Sequence, residues 1–561
     1  MAALIQSLDN HTPFQLGENG HTEYTWSHSI KEQIVQFYFQ LVRTKNMATL
    51  EDKLTFLLTE LFSRSDEESA MYRSILHRMI GQTRDAVEGK GECSLTYMMI
   101  YVWNKFSKEM AESAMHLLVN EIVDGKHVVP IGSWKDIKYL CNYCMTRDGH
   151  SNSNLISCGI KMVNDQLRID VEKMKAVSKV SLVAKWVPRE KSSFGWIFSR
   201  FATDYFSEYM LTASSKQQKP RAIAKCHMEY RKLLSSINRY IDTVQIKQCG
   251  QHWSDIDFTT TTSVTLAKQK KAFLNITKKN TVRHPDNQDR IECAKHFTNH
   301  IEKAVKGEVV MKGKAVSMVT FVENACASNM SQLEKDVINT QWIDSSRQTA
   351  NLGKMIAMVD VSGSMSGDPM MAAIGLGIRI AEKSALGNRV MTFSDKPSWV
   401  NLEPYPHFVD RVSVVRRCEW GGSTNFYKAL DLILDVIVQN NLPANEVEDM
   451  VLVILSDMQM DQGDRCDKAA LYDQMKTKYA DAGIRVCGNP YQPPHILFWN
   501  LRSTSGFPTL SSQPNASMMS GFSPALLNSF CEKGIESLQM CTPWQVLCDT
   551  MDNPRYVKKG T

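Results

Sequence analysis

The chain has 561 residues, of which 43% are hydrophobic and 22% are charged. This composition is typical of a globular protein with two or three domains, and it excludes a chain too small or too polar to bury a large core. The net charge of +5 is unevenly divided, because residues 346–561 carry 20 Lys and Arg against 22 Asp and Glu. The basic excess therefore lies in residues 1–345, where it favours an anionic partner.

The compartment is indicated by the first residues and by the 14 scattered cysteines. Residues 1–6 lack the basic flank and the extended apolar core of a secretory signal, and no apolar run approaches membrane-spanning length. We expect an intracellular protein with free thiols and no membrane partner. The cytoplasm is the expected location, and the nucleus and the virion are the alternatives. Cys141 and Cys144 could join His150 and Cys158 in a zinc site, but their place on an apolar helix face favours core thiols.

The amino-terminal part is predicted to be helical after an irregular segment, residues 1–28, that is mostly polar. Ser29 and Glu32 have the form of a capping box, so a helix is expected to start there. Apolar residues then recur with helical period. The predicted helices are 29–44, 50–62, 68–80, 95–106, 110–123 and 133–145. Short polar connections between them predict paired helices over residues 29–345, stacked as an α-helical, HEAT-like solenoid.

Three isolated tryptophans stand in unusual phrases of this helical part. Trp134 lies in Gly-Ser-Trp-Lys-Asp, Trp186 in Ala-Lys-Trp-Val-Pro-Arg-Glu, and Trp253 in Gln-His-Trp-Ser-Asp. A tryptophan can anchor a loop in the core or stack on a nucleobase. Because the phrases form no repeat, we interpret the three as core residues, with stacking as the alternative.

Residues 215–283 hold most of the basic clustering, with aromatic residues interleaved. Surfaces that bind RNA combine cations for phosphates with aromatic faces for unpaired bases, although a solvated helix face gives similar counts. Both interpretations stay open at this point. The candidate RNA-binding residues are Arg221, Lys225, Arg231, Lys232, Lys268, Lys270, Lys271, Lys278 and Lys279.

A short buried strand and an acidic, serine-rich loop dominate the carboxyl-terminal part. The apolar run Met355–Val359 has no polar face, as expected of a central parallel strand covered by helices on both sides. It ends in the motif Asp-Val-Ser-Gly-Ser, and a helical period follows. Asp360, Ser362 and Ser364 are therefore predicted at the carboxyl end of a strand, the edge where ligands bind in open α/β sheets.

Two further loops complete this set. Residues 421–425, Gly-Gly-Ser-Thr-Asn, precede a helical stretch, and residues 450–457 predict a second buried strand that ends in an acid. Carboxylates and hydroxyls are hard oxygen ligands, and Mg²⁺ keeps several waters, so few protein charges suffice to hold it. We predict a site for Mg²⁺ (or Mn²⁺) formed by Asp360, Ser362, Ser364, Thr424 and Asp457.

This set resembles the metal-ion-dependent adhesion site of the von Willebrand factor A module. The family pattern is D-x-S-x-S, then a Thr, then an Asp, each on a strand-end loop, and all five positions are matched here. The resemblance covers residues 350–561 and implies a doubly wound α/β domain. The fold class expected for the whole chain is therefore α + α/β.

A helical region followed by such a module resembles the layout of the TROVE-module proteins, the Ro ribonucleoprotein family. That resemblance implies binding of structured or single-stranded RNA by the helices. The Trp134 and Trp186 phrases, with Leu-Val-Ile-Leu-Ser-Asp-Met-Gln, are closer to an uncharacterised family of plants, fungi and large DNA viruses. This second resemblance covers residues 25–555 and implies no biochemical role.

The sequence favours a binding protein over an enzyme. It contains no G-x-x-x-x-G-K-[ST] loop, no H-E-x-x-H and no G-x-S-x-G, and the metal set includes no evident general base. A cation held mainly by hydroxyls stays electrophilic toward an outside acid, so we expect an acidic protein ligand to complete its shell. The alternatives are a protein-only interaction scaffold and a metal-dependent phosphoesterase.

Overall fold

The computed structural model describes residues 13–123, 126–393, 397–418, 426–448, 450–459, 471–531, 538 and 540–557. The chain forms two compact units whose segments interleave along the sequence. Unit 1 comprises Met1–Glu92, Phe258–His284 and Ala294–Asn553. Unit 2 comprises Cys93–Asp257, Pro285–Cys293 and Pro554–Thr561.

The described elements before the large sheet are helices and two small antiparallel ribbons. In chain order they are β1 (Phe14–Leu16), β2 (Thr22–Tyr24), α1 (Ile30–Gln40), α2 (Ala48–Phe62), α3 (Glu67–Arg84), α4 (Cys93–Trp103), α5 (Lys108–Leu117), β3 (Ile122–Val123), β4 (Lys126–His127), α6 (Trp134–Asp148), α7 (Asn154–Lys175), α8 (Val183–Trp186), α9 (Gly195–Tyr205), α10 (Ser207–Leu211), α11 (Gln218–Ile241), α12 (Val244–Cys249), α13 (Ser263–Phe273), α14 (Gln288–Val305), α15 (Met318–Ala325) and α16 (Gln332–Ser346).

The remaining elements alternate between strands and helices. They are β5 (Met355–Asp360), a 3₁₀ turn (Gly363–Met365), α17 (Asp368–Lys383), β6 (Arg389–Phe393), β7 (Ser398–Asn401), α18 (Phe408–Arg417), α19 (Phe426–Gln439), α20 (Ala444–Glu448), β8 (Val451–Ser456), α21 (Leu471–Cys487), β9 (His495–Asn500), β10 (Ala516–Ser520), a 3₁₀ turn (Pro524–Leu527), α22 (Asn528–Cys531), α23 (Pro543–Met551) and a 3₁₀ turn (Pro554–Tyr556). The chain is thus α + α/β, as the sequence predicts.

The large sheet has six described strands in the order β10-β9-β8-β5-β6-β7. The first five are parallel, and β7 joins one edge antiparallel to β6. Every residue of β5, β8, β9 and β10 is buried. This explains the unbroken apolar runs in the sequence, since a parallel sheet is covered on both faces. The strands β5 and β8 are neighbours, so their carboxyl ends meet at one edge.

Helix α17 packs closely on β5 because it carries glycine where the sheet lies beneath it. A Cβ atom at Gly377 would lie 2.5 Å from Val359 Cγ2, and one at Gly375 would lie 3.2 Å from Met318 Cβ on α15. The first of these distances is too short for any larger residue. Close packing of α17 fixes the end of β5, which carries the acidic motif.

The amino-terminal helix α1 packs against β10 within unit 1. The Asn500 side chain on β9 donates to Phe39 O at 3.0 Å, and the Gln40 side chain donates to Thr504 O at 2.7 Å. The buried Lys90 ammonium donates to Ser520 Oγ on β10 at 2.6 Å. Residues that are more than 400 positions apart therefore share one core.

Local sequence signals locate several elements and miss others. Helix α6 begins at Trp134 behind a capping box of Ser133 and Asp136, and α1 begins directly after Ser29. Glu32 completes no capping box, because both its carboxylate oxygens accept from Ser511 N at 3.0 Å. The helix predicted over 110–123 is too long, since α5 ends at Leu117. The segment predicted to be irregular contains the ribbon β1–β2.

Candidate metal centre

Polar side chains from neighbouring strand ends meet at the carboxyl edge of the sheet. Asp360 is the last residue of β5, Ser456 is the last residue of β8, and Asp457 follows it. Asp360, Ser456 and Asp457 are each 0% exposed. The sheet thus brings both predicted acids, Asp360 and Asp457, to one edge, where Asp360 contacts Ser456 although the two are 96 residues apart in the sequence.

Asp360 is held by hydrogen bonds to both of its carboxylate oxygens. Its Oδ1 accepts from the Ser362 backbone N–H at 2.9 Å, and its Oδ2 accepts from Ser456 Oγ at 2.6 Å. No described residue forms an ion pair with it. Because each carboxylate oxygen can accept more than one bond, the group keeps acceptor capacity toward a cation or its waters.

The two motif hydroxyls lie side by side on the loop after β5. Ser362 Oγ and Ser364 Oγ are 3.1 Å apart, with Ser362 buried and Ser364 half-buried. Such a pair offers two oxygen ligands on the loop that directly follows Asp360. Thr424, the fourth predicted ligand, lies outside the described residues, as does its loop.

The turn after β8 has an unusual backbone. Met458 has a φ of +62°, which is uncommon for a residue other than glycine and indicates a position fixed by its surroundings. Its N–H donates to Ser456 Oγ at 3.0 Å, and the Gln459 N–H donates to Asp457 Oδ1 at 3.2 Å. The turn therefore holds the Asp457 carboxylate at the sheet edge. A sequence alone gives no signal of this backbone conformation.

Arg502, which the sequence did not single out, lies beside the acidic pair. Its Nη1 is 3.4 Å from Asp457 Oδ2, and its side chain is 45% exposed. It follows β9, the third neighbouring strand, whose end is tied to β8 by the Leu501 N–H donating to Ser456 O. The rim of the site thus carries a partly exposed cation next to a fully buried carboxylate.

The electrostatics of the site favour a cation. Burial, together with the neighbouring Asp457, raises the pKa of Asp360 to about 7, although hydrogen bonds from Ser362 and Ser456 oppose the shift. A buried acid pair is relieved when a proton or a metal ion lies between its members. Two carboxylates and a hydroxyl pair are also the hard oxygen donors that Mg²⁺ and Mn²⁺ prefer. The described residues therefore fit a divalent cation.

A site of another kind is not evident in the part of the chain that the structure describes. There, no three His, Cys, Asp or Glu side chains are grouped as metal ligands would be. Cys141 and Cys144 are buried in the helical part, and burial raises the pKa of both thiols. These two cysteines are core residues, as the helix pattern predicts.

The nine predicted RNA-binding residues divide between the two compact units. Four belong to unit 2 and five to unit 1. Seven are exposed, namely Arg221, Lys225, Arg231, Lys232, Lys268, Lys278 and Lys279. Lys271 is half-buried and pairs with Glu334 at 3.1 Å. Lys270 is buried and donates to Asn324 Oδ1 at 2.7 Å, so its ammonium is not available to a phosphate.

Sequence reasoning also missed a hydrogen-bonded chain of three side chains between α9 and α11. His227 Nδ1 lies 2.9 Å from Glu190 Oε1, and its Nε2 lies 3.0 Å from Ser199 Oγ. The geometry is that of an activated serine, but Ser199 lies inside α9. The described N–H groups of residues 195, 197 and 198 donate to carbonyls at the helix start. These N–H groups are not free to stabilise an oxyanion, so we assign the three hydrogen-bonded side chains a structural role.

The described helices include none that is both long and apolar enough to cross a membrane. Comparison with known proteins matches residues 354–553 to the family described as "Domain of unknown function (DUF7788)". The chain is also similar to "Uncharacterized protein L728" of Acanthamoeba polyphaga mimivirus. The two are 28% identical over 568 residues, which cover 97% of this chain and 89% of the viral protein. These similarities support a relationship to an uncharacterised family with viral members, and the matched domain begins just before β5 and contains the acidic site.

Proposed function

We propose that this chain is a binding protein whose sheet edge holds one divalent cation, Mg²⁺ or Mn²⁺, and uses it to capture an acidic group of a partner protein. The observation that carries this proposal is the contact of Ser456 Oγ with Asp360 Oδ2 at 2.6 Å, beside the buried Asp457. It joins two strand ends into one polar site. The parallel sheet order also supports the finer proposal that this domain is a von Willebrand factor A module.

The donor set favours capture over catalysis. Within the described chain, the other side chains that form hydrogen bonds or ion pairs with the two acids and two serines come from Ser456 and Arg502, and neither is a general base. A cation held by hydroxyls retains positive charge toward an outside carboxylate or phosphate. Arg502 can then pair with a second oxygen of the same group. The alternatives remain a protein-only scaffold and a metal-dependent phosphoesterase.

Titration calorimetry of the full chain with Mg²⁺ and Mn²⁺ tests the cation site. We expect one saturable site that Asp360→Asn abolishes, because the substitution removes a buried charge and keeps the shape. Asp481→Asn changes an exposed acid on α21 and serves as the matched control. Equal cation binding by both variants would rule the site out. Release of phosphate from a generic ester, lost in Asp360→Asn, would instead favour the phosphoesterase.

RNA binding is the second function that we propose, carried by the exposed basic residues of the helical part. The HEAT-like stacking of those helices belongs to the same proposal. RNA affinity should fall steeply as the salt concentration rises. Substitution of the exposed Lys278 and Lys279 by glutamate, which reverses their charge, should also weaken RNA binding. Gel-shift titration with single-stranded RNA at two salt concentrations measures both effects. Asp360→Asn should leave RNA binding unchanged, which separates the two proposals.

A further inference from the structure

A large cleft opens within unit 2 between α5, the start of α6 and α7. Its volume is about 1090 Å³, and both charged and apolar side chains line it. Pockets for small ligands commonly measure about 300–1,000 Å³, so this cleft has room for a ligand of nucleotide size or somewhat larger. None of its lining residues belongs to the cation site or to the predicted basic set.

Trp134 lines both this cleft and a small apolar cavity. The same indole lines the cavity with Val163, Val187 and Phe201. Trp134 is half-buried, and its Nε1 donates to no described residue. The residue therefore borders both the apolar core and the cleft. An indole held in this way is a stacking surface for a flat ring.

The charges along the cleft leave one cation uncompensated. Glu112 lies 3.8 Å from Lys108, and Asp165 lies 2.8 Å from Arg168, so both acids have partners. Lys161 on α7 is exposed and pairs with no described residue. The exposed Asn152 side chain also lacks a hydrogen bond to any described group. The cleft thus presents a flat ring, an amide with both donor and acceptor, and a free ammonium.

We propose that this cleft binds a nucleotide, with the base on Trp134, the base edge within reach of Asn152 and the phosphate paired with Lys161. The combination suits a nucleobase and its phosphate, because stacking needs no particular base and an ammonium balances the charge. The ligand is either a free nucleoside monophosphate or one residue of a single-stranded RNA. Only the RNA form rests on the RNA binding proposed above.

The test uses the full chain and measures binding of UMP, uridine and hexauridylate by calorimetry. We expect Trp134→Leu to weaken all three by about tenfold, a typical effect of losing one base–aromatic stack. Lys161→Gln should weaken UMP several-fold and leave uridine unchanged. The matched controls are Trp186→Phe, which alters the small cavity alone, and Lys173→Gln, an exposed lysine on the same helix. Because Lys161 is exposed, its variant stays informative if Trp134→Leu misfolds.

The outcomes distinguish the sources of the nucleotide. Binding of UMP and hexauridylate with equal sensitivity to Trp134→Leu supports an RNA residue in the cleft, and binding of UMP alone supports a free nucleotide. No saturation by UMP or hexauridylate at millimolar concentration would overturn the proposal. Hexauridylate binding that depends on Lys278 and Lys279 but not on Trp134 would also overturn it, and would leave the proposed RNA surface intact.

Discussion

The Asp360 carboxyl is the residue on which the pH behaviour of the site depends. Its pKa is raised to about 7 by burial and by Asp457, whereas an unfolded Asp titrates near 4. Between these values the folded chain holds a proton that the unfolded chain has lost. The stabilising effect of that proton is complete below about pH 4 and is lost as the pH rises through 7. At pH 8 the charged acid pair costs on the order of a few kcal/mol.

A divalent cation should replace this proton, so its affinity should increase with pH. We expect Mg²⁺ to raise the melting temperature little at pH 5.5 and clearly at pH 8, since cation and proton compete for the same carboxyl. Thermal unfolding with and without about 10 mM Mg²⁺ measures this, because that concentration exceeds the dissociation constants of weak oxygen-ligand sites, which are roughly 0.1–1 mM. Asp360→Asn should abolish the pH dependence, and Asp481→Asn should keep it. A Mg²⁺ effect that is constant from pH 5.5 to 8 would contradict the assignment.

Arg502 should oppose the cation and assist the anionic ligand. Its guanidinium lies 3.4 Å from Asp457 Oδ2 and competes with a metal ion for that charge. Since the side chain is 45% exposed, solvent screens the effect. We expect Arg502→Gln to strengthen Mg²⁺ binding about threefold at low salt, with the gain lost at high salt. Arg485→Gln, at another exposed arginine, is the control, and weaker Mg²⁺ binding by Arg502→Gln would exclude competition.

At the scale of elements, the close packing of α17 against β5 fixes the position of the end of that strand. Gly377→Ala places a Cβ 2.5 Å from Val359 Cγ2, whereas Gly375→Ala places one 3.2 Å from its nearest neighbour. Alanine gains about 1 kcal/mol of helix propensity at either position, but overpacking costs about 1–3 kcal/mol. Urea unfolding should therefore show Gly377→Ala to be less stable than Gly375→Ala, with weaker Mg²⁺ binding. Equal stability of the two variants would show that the helix shifts without moving β5.

Elements with an unbroken pattern of apolar residues could be predicted from the sequence, whereas features that depend on contacts between distant residues could not. The strand at Met355 follows from an apolar run, and the helix at Trp134 follows from the helical period of residues 133–145. Ser29 and Glu32 have the form of a capping box, yet the Glu32 carboxylate bonds to Ser511, almost 480 residues away. The candidate cation site shows the same limit. Asp360 and Asp457 could be predicted, because the first ends and the second directly follows an apolar strand that is evident in the sequence. Arg502 is near them only because β9 pairs with β8.

For the whole molecule, the main departure from the sequence pattern is the interleaving of segments. A linear division near residue 345 separates the helices from the sheet, whereas unit 1 unites Met1–Glu92 with the sheet. The buried Lys90 ammonium explains part of this union. It donates to Tyr38 O at 2.9 Å, Leu41 O at 3.1 Å and Ser520 Oγ at 2.6 Å. The cation thus satisfies carbonyls at the end of α1 and fixes them to the last strand.

The sheet should therefore depend on the amino-terminal helices for its stability. A fragment of residues 294–561 lacks the partners of Asn500, Ser511 and Ser520, and leaves buried polar groups without hydrogen bonds at about 1–3 kcal/mol each. We expect it to aggregate or to unfold without a cooperative transition, and to become soluble when residues 13–92 are co-expressed. Co-expressed residues 13–92 that carry Lys90→Met should restore solubility less well, because they lack the ammonium that joins α1 to β10. Cooperative unfolding of 294–561 alone, with full Mg²⁺ affinity, would show that the carboxyl-terminal domain is independent and that the amino-terminal helices only cover it.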